Sequence, residues 1–331
     1  MKHSFIAIAL IGISPGAAFA QSSVTIYGIA DSGLVYESGG AAGSVTHLSS
    51  GIASGSRIGF RGKEDIGGGL SANFVMESGF DIGTGASTQG GLLFGRQSYV
   101  GLSGNFGAVT LGRQYSPYYW AVNQVADPFN AVSLAGRAGN IMALDSRVNN
   151  MVQYATPKLS GFSAKVAYGF GGVADNSAGN RTTGFSIGYE HGALNVRLAQ
   201  NQLNNATATD STKNTLLAGS YNFGVAKANL GYAINKGTGT ADSDDAIIGV
   251  SVPFGASKIL ASYIRHNDKT GANRDANQLG IGYIYSLSKR TQLYSSYARI
   301  SNSNGAAFKV GNATDTGTGD KAFNFGIRHF F

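Results

Sequence analysis

The side chains with most chemistry to offer lie between Ser54 and Asp145, and many of them are arginines. In SGSRIGFRGKED, Arg57, Gly59, Arg61 and Lys63 share one parity, with Ile58 and Phe60 on the other. In SRVNNMVQY, Arg147, Asn149, Met151 and Gln153 oppose Val148, Val152 and Tyr154. Asn73, Glu77 and Asp81 oppose Phe74, Met76 and Phe80. A period of two is strand alternation, so these patterns put charge along one face of whole strands. Arg96 and Arg113 are less clean, because Phe94 and Val100 share the parity of the first and Val109 and Leu111 that of the second. Fixed positive charge along a wet wall selects and steers anions; it does not make or break bonds.

Groups that could do bond chemistry are scattered. After the first twenty residues the histidines are His47, His191, His266 and His329, with no convergent Ser–His–acid or paired-carboxylate arrangement around them. Gly67-Gly68-Gly69 reads as a hairpin turn, since no helix follows to hold a phosphate. Asp242-Ser243-Asp244-Asp245 reads as a solvated loop, and no metal site is assigned. Lysines and arginines are dispersed without an aromatic platform, so the basic balance does not point to nucleic acid. The reading is a non-enzyme with no cofactor; an envelope hydrolase remains the enzymatic alternative.

Strands must position those arginines. The chain has 331 residues with 49 Gly, 16 Tyr, 18 Phe and no Cys. Only 13% of residues are charged, against about 25% in ordinary soluble domains. Lys2 and His3, the apolar run Phe5 to Ile13 and the small-x-small stretch Ala18-Phe19-Ala20 read as a secretory signal peptide over residues 1–20. The remaining 21–331 reads as one domain. Loss of Lys2 takes the formal charge from +7 to +6. Beyond Gln21 no apolar run reaches the ~18 residues a membrane helix needs, so any crossing must use strands that close on themselves.

Period-two runs recur to the C-terminus and predict sixteen strands, at 23–36, 54–65, 69–81, 92–103, 106–115, 146–156, 161–170, 181–191, 193–203, 212–223, 225–236, 244–254, 256–267, 275–287, 290–301 and 320–331. Connections alternate short and long, with the longest at 116–145. Phe162, Ala164, Val166, Tyr168 and Phe170 alternate with Ser163, Lys165, Ala167 and Gly169; Leu194, Val196 and Leu198 alternate with Asn195, Arg197 and Ala199. The pattern is oily outside and small or polar inside. It predicts an all-β fold, a 16-stranded antiparallel transmembrane β-barrel with a water-filled interior. A soluble β-sandwich is the alternative, but exposed apolar rows on every strand would aggregate.

The order and spacing of these segments resemble the general porins of Gram-negative outer membranes, of the betaproteobacterial type. The resemblance is carried by Ser23 to Gly28, Ser56 to Asp65, Phe94 to Leu102, Leu111 to Tyr115, Ser146 to Tyr154 and the final Phe331, and it spans the whole mature chain. It implies a third external loop, 116–145, folded inward to narrow the channel. It implies a basic wall of Arg57, Arg96 and Arg147, with Arg61 and Arg113 as further candidates. It places acidic groups opposite, at Glu77 and at loop residue Asp127. The loop lacks the Pro-Glu-Phe-Gly-Gly stretch of enteric relatives, which leaves the acidic half open. The resemblance further implies passive passage of small hydrophilic solutes and inorganic ions, a homotrimer, and outer-membrane lipid and lipopolysaccharide as surroundings. With few acids in the inferred constriction, a modest anion preference follows; the alternative is that the excess charge meets lipopolysaccharide phosphates on the loops.

Overall fold

A computed structural model describes residues 23–41, 43–130, 135–239 and 241–331. The expected signal peptide lies outside the described residues. The strands are β1 (Ser23–Gly40), β2 (Gly43–Ser50), β3 (Arg57–Gly67), β4 (Leu70–Gly79), β5 (Gln97–Gly104), β6 (Gly107–Tyr115), β7 (Arg147–Ala155), β8 (Phe162–Gly169) and β9 (Thr182–His191). They continue as β10 (Leu194–Asn204), β11 (Ser211–Asn222), β12 (Lys227–Lys236), β13 (Asp242–Phe254), β14 (Ser257–Asp268), β15 (Ala276–Ser286), β16 (Thr291–Asn302) and β17 (Lys321–Phe330).

Every neighbouring pair is antiparallel, and β17 returns to β1 with Ile29 opposite Phe330 and Ser38 opposite Lys321. The seam continues at Gly28 and Phe331, whose backbones exchange two hydrogen bonds of 3.0 and 3.1 Å. The sheet is therefore a closed barrel with no free edge, as a lipid-exposed backbone requires. Seventeen segments occupy sixteen staves, because β2 and β3 share one. The far edge of β1 pairs with β3 from Ser23 to Ile29 and with β2 from Ser32 to Gly40. The sequence pattern leaves residues 38–53 as a loop; instead 38–40 extend β1 and 43–50 form the upper part of this second stave.

The break in that stave has a cause. The fully buried Asp31 carboxylate accepts hydrogen bonds from the backbone N–H of Ala53 (3.1 Å) and Ser54 (2.8 Å) and from the Tyr294 hydroxyl (2.7 Å). The Ser56 hydroxyl donates to the Asp31 carbonyl at 3.0 Å. A buried carboxylate needs such donors, and here they are taken from segment 51–56, which is drawn out of the ladder.

Outward and inward faces separate as the alternation requires. Val166, Ile187, Leu198, Leu217, Ile248 and Leu279 are all more than two-fifths exposed and face away from the lumen. Inward positions such as Asn201, Asn214, Ser220, Asn229, Gln278 and Asn324 are polar and covered. The longest connection leaves β6 and turns into the barrel. It begins with one turn of helix, α1 (Pro117–Ala121), capped by Ser116 Oγ accepting from Tyr119 N–H at 2.9 Å. A wider turn, Val122–Ala126, follows.

The loop is nailed to the opposite wall by inward polar groups. Asn229 Nδ2 donates to the Val125 carbonyl (2.7 Å), the Ser262 hydroxyl to the Gly136 carbonyl (2.9 Å), and Gln278 Nε2 to the Arg137 carbonyl (2.9 Å). Gly136 and Gly280 allow the two backbones to touch: a Cβ on Gly280 would fall 2.4 Å from Gly136 Cα. Beneath this strap lies a dry patch, where Tyr118, Val122 and Val125 pack against Leu216, Ile247 and Ile264, none more than 3% exposed. The lumen is thus divided. One side is filled by loop and apolar wall, and water is left the other side.

Candidate functional site

The open side is bounded by the ends of β3, β4, β6 and β7. Glu77 on β4 faces inward and is 3% exposed. Its Oε1 accepts from Arg96 Nε at 2.8 Å, its Oε2 from the Tyr27 hydroxyl at 3.0 Å, and Arg57 Nη1 lies 3.9 Å from Oε1. Arg57 Nε is fixed by the Gly55 carbonyl at 2.9 Å, so the displaced segment 51–56 also orients this arginine. Arg96 precedes β5 rather than belonging to it. Strand parity therefore does not govern it, and it turns inward despite sharing parity with Val100.

Tyr115 ties the cluster together. Its hydroxyl accepts from Arg96 Nη2 at 2.9 Å and from Arg147 Nη2 at 2.7 Å, while the Arg147 guanidinium lies 4.6 Å from its ring centroid. Arg147 Nε donates to the Arg96 carbonyl at 3.0 Å. Tyr115 also stacks on Tyr119 of the loop, centroids 4.4 Å apart. Three guanidiniums converge on one carboxylate and one phenol. Hydrogen bonds to oxygen and contact with an aromatic face stabilise planar cations that would otherwise repel.

Three other residues expected here lie elsewhere. Arg61 keeps the lumenal parity but sits four residues further along β3, exposed, with its guanidinium 5.1 Å from the Tyr27 ring centroid. Arg113 donates to the Gly95 carbonyl (2.8 Å) and to Asn149 Oδ1 (2.5 Å), beside a register shift after Gly112. Those bonds brace the rim. Asp127 is 2% exposed, and its carboxylate accepts the backbone N–H of Phe129 (2.8 Å) and Ala138 (2.7 Å). It holds the loop's own fold and does not look into the gap.

In front of Arg57 and Arg96 is a cavity of about 300 Å³. Lys258 of β14 and Arg328 of β17 also line it, and the pattern placed only the second on the lumenal side. Arg328 Nη1 donates to the Ala53 carbonyl (3.0 Å) and the Ser54 hydroxyl (2.7 Å). Among the described residues the lining carries four cations and no carboxylate. A second cavity of about 380 Å³ lies toward the long-loop end, lined by Arg147, Asn201 and Asp145. Burial raises the Asp145 carboxyl above its ordinary range, and Asn214 Nδ2, donating at 2.7 Å, draws it partly back. Tyr115, Lys258 and the Asp31 clasp were not singled out from the sequence. Tyr115 closes a segment read as strand and as part of the resemblance, with no role of its own, and Lys258 lies beside a turn where parity is hard to fix.

A closed antiparallel sheet, oily outside, with a strap across its lumen and a cationic gap beside it, is the architecture of a diffusion channel of the outer membrane. The family model described as Gram-negative porin matches residues 7–305. The outer membrane porin protein 32 of Delftia acidovorans is 40% identical over 246 residues, covering 69% of this chain and 68% of that protein. An outer membrane porin protein of Bordetella pertussis is 37% identical over 270 residues, covering 70% of this chain and 69% of that protein. Among solved structures, the anion-selective porin from Comamonas acidovorans superposes with a TM-score of 0.81 at 33% identity, over 94% of this chain and all (100%) of that one. The chain belongs to the Gram-negative porin family, as an outer-membrane porin for general diffusion.

Proposed function

We propose that this porin passes small hydrophilic solutes with a preference for anions, and that Arg57, Arg96 and Arg147 form the basic wall that sets it. The observation that carries the reading is the charge of the narrow cavity: Arg57, Arg96, Lys258 and Arg328 line it without a facing carboxylate. Glu77 neutralises one unit of that charge from behind. Low-dielectric walls focus the remainder on the gap. Passage is passive, and no bond chemistry is assigned to the chain. Arg61 extends the positive field toward the short-turn end, Arg113 acts through the rim, and Asp127 acts by holding the strap. Removal of residues 1–20 on export is part of the same reading.

Assembly into a homotrimer is proposed as well. The strands from β5 to β8 have only eight or nine residues, at or below the ~9–11 a tilted strand needs to cross a bilayer. Strands β11 to β16 have ten to thirteen. The short side is the one that gains from contact with another copy; the long side meets lipid, with lipopolysaccharide around the loops. The test of selectivity is the zero-current potential of purified channels in a planar bilayer under a KCl gradient. A chloride-selective sign is expected, and a potassium-selective sign overturns the proposal.

A further inference from the structure

The narrow cavity is only half polar. Beside its cations lies a narrow apolar shelf: the half-buried Trp120 of the strap, bordered by the edges of Phe129, Leu260 and Ile284, none of these three more than 7% exposed. Trp120 is held firmly, with Tyr115 and Tyr119 meeting it edge-on at 5.2 and 5.7 Å between centroids. Lys165 Nζ covers it at 5.5 Å. Hydrated inorganic anions gain nothing from such a shelf. Beside it, opposite Ile284 in the ladder and two residues before Leu260, the Lys258 ammonium has no hydrogen-bond or ion-pair partner among the described residues. An unpaired cation within one small cavity of an aromatic face matches a solute with a ring at one end and a carboxylate at the other.

We infer that the constriction holds small aromatic monocarboxylates in transit, with the ring on the Trp120 shelf and the carboxylate toward Lys258 and Arg328. The inference rests on the anion-preferring reading above and names the solute class for it. The cavity, about 300 Å³, is at the lower end of the ~300–1,000 Å³ typical of ligand sites, which limits the solute to a single ring. Such a site speeds flux only if it is weak, since the solute must leave as readily as it enters. Neither half of the site is sufficient. A neutral ring lacks the cation's attraction, and acetate leaves the shelf uncovered.

Trp120 is the single tryptophan of the chain, so red-edge tryptophan emission reports on this cavity alone. Benzoate, acetate and benzyl alcohol are titrated against the detergent-purified, folded porin, and against the chloride current of single channels. Benzoate is expected to change the emission saturably and to half-block the current at a concentration about tenfold below acetate or benzyl alcohol. Trp120→Leu and Lys258→Gln should each bring the benzoate and acetate half-blocking concentrations to within about twofold of each other. Equal block by benzoate and acetate in channels that keep a chloride-selective potential overturns the inference. So does a benzoate-to-acetate ratio unchanged in both variants. A potassium-selective potential instead removes the reading underneath.

Discussion

Arg57→Ala is the cleanest perturbation of the basic wall, because it removes a charge without stranding an acid. Glu77 keeps Arg96 at 2.8 Å and the Tyr27 hydroxyl at 3.0 Å. The magnitude follows from the size of the gap. Treated as a sphere, a cavity of about 300 Å³ has a radius of roughly 4 Å, the separation at which two unit charges interact by ~1 kcal/mol in water. The sign is opposite for chloride and potassium, so the permeability ratio can move by up to ~2 kcal/mol, about thirtyfold. An ion's mean distance from a charge on the wall exceeds that radius, which brings the expected change to about three- to tenfold. Salt provides the control. The Debye length of ~10 Å at 0.1 M leaves the effect intact, whereas ~3 Å at 1 M screens most of it. Zero-current potentials of the variant and the parent should therefore differ clearly at low salt and converge at high salt. Identical potentials at low salt would refute the assignment of Arg57 to the conducting gap.

Other consequences are open to direct measurement. Glu77→Gln leaves Arg96, 3% exposed, without its counter-charge; breaking such a buried pair costs about 3–5 kcal/mol, read as a lower unfolding temperature of the folded barrel in detergent, alongside a stronger chloride preference. Asp31→Asn removes the charge that gathers the Ala53 and Ser54 amides, so hydrogen exchange at both should accelerate; unchanged protection would show that the clasp does not hold segment 51–56 in place. Leu217→Arg on the outward face should cost up to ~2–4 kcal/mol in a bilayer, depending on its depth, and lower the yield of folded barrel, while Thr215→Arg, two residues back on the same outward parity and nearer the long-loop end, should cost less. Gly280→Val drives a side chain into Gly136 and should lift the strap from β15, seen as a changed single-channel conductance with the barrel still folded.

Strand parity carried most of the fold, and its failures are local and physical. Phe162 to Phe170 or Leu194 to Leu198 read as oily-out, polar-in strands because nothing but lipid and lumen acts on them. The second stave could not be read so simply, since its break is made by a buried acid, Asp31, that lies on a different strand. Arg96 was ambiguous for a related reason: it sits before its strand begins, where alternation has no authority. Glu77, Arg57 and Arg147 were placed by parity because their neighbours alternate cleanly. Asp127 could be positioned on the strap by resemblance, but its partners are backbone amides of a folded loop, and no sequence period encodes those. The dry half of the lumen did leave a trace in Leu216-Leu217 and Ile247-Ile248. In each pair one side chain is more than a third exposed and the other no more than 3% exposed. Two adjacent apolar residues in an alternating strand mark where the strap lies against the wall.

The pairing of the first strand with the last has a consequence for how the molecule comes into being. The two segments that seal the cylinder are separated by nearly the whole polypeptide, so none of the seam's hydrogen bonds can form until both have arrived. Until then the growing ribbon carries two bare borders, each able to recruit a stray strand. Maturation of this porin must therefore keep those borders occupied, and whatever shepherds it into the membrane has to let go only as the last stave meets the first.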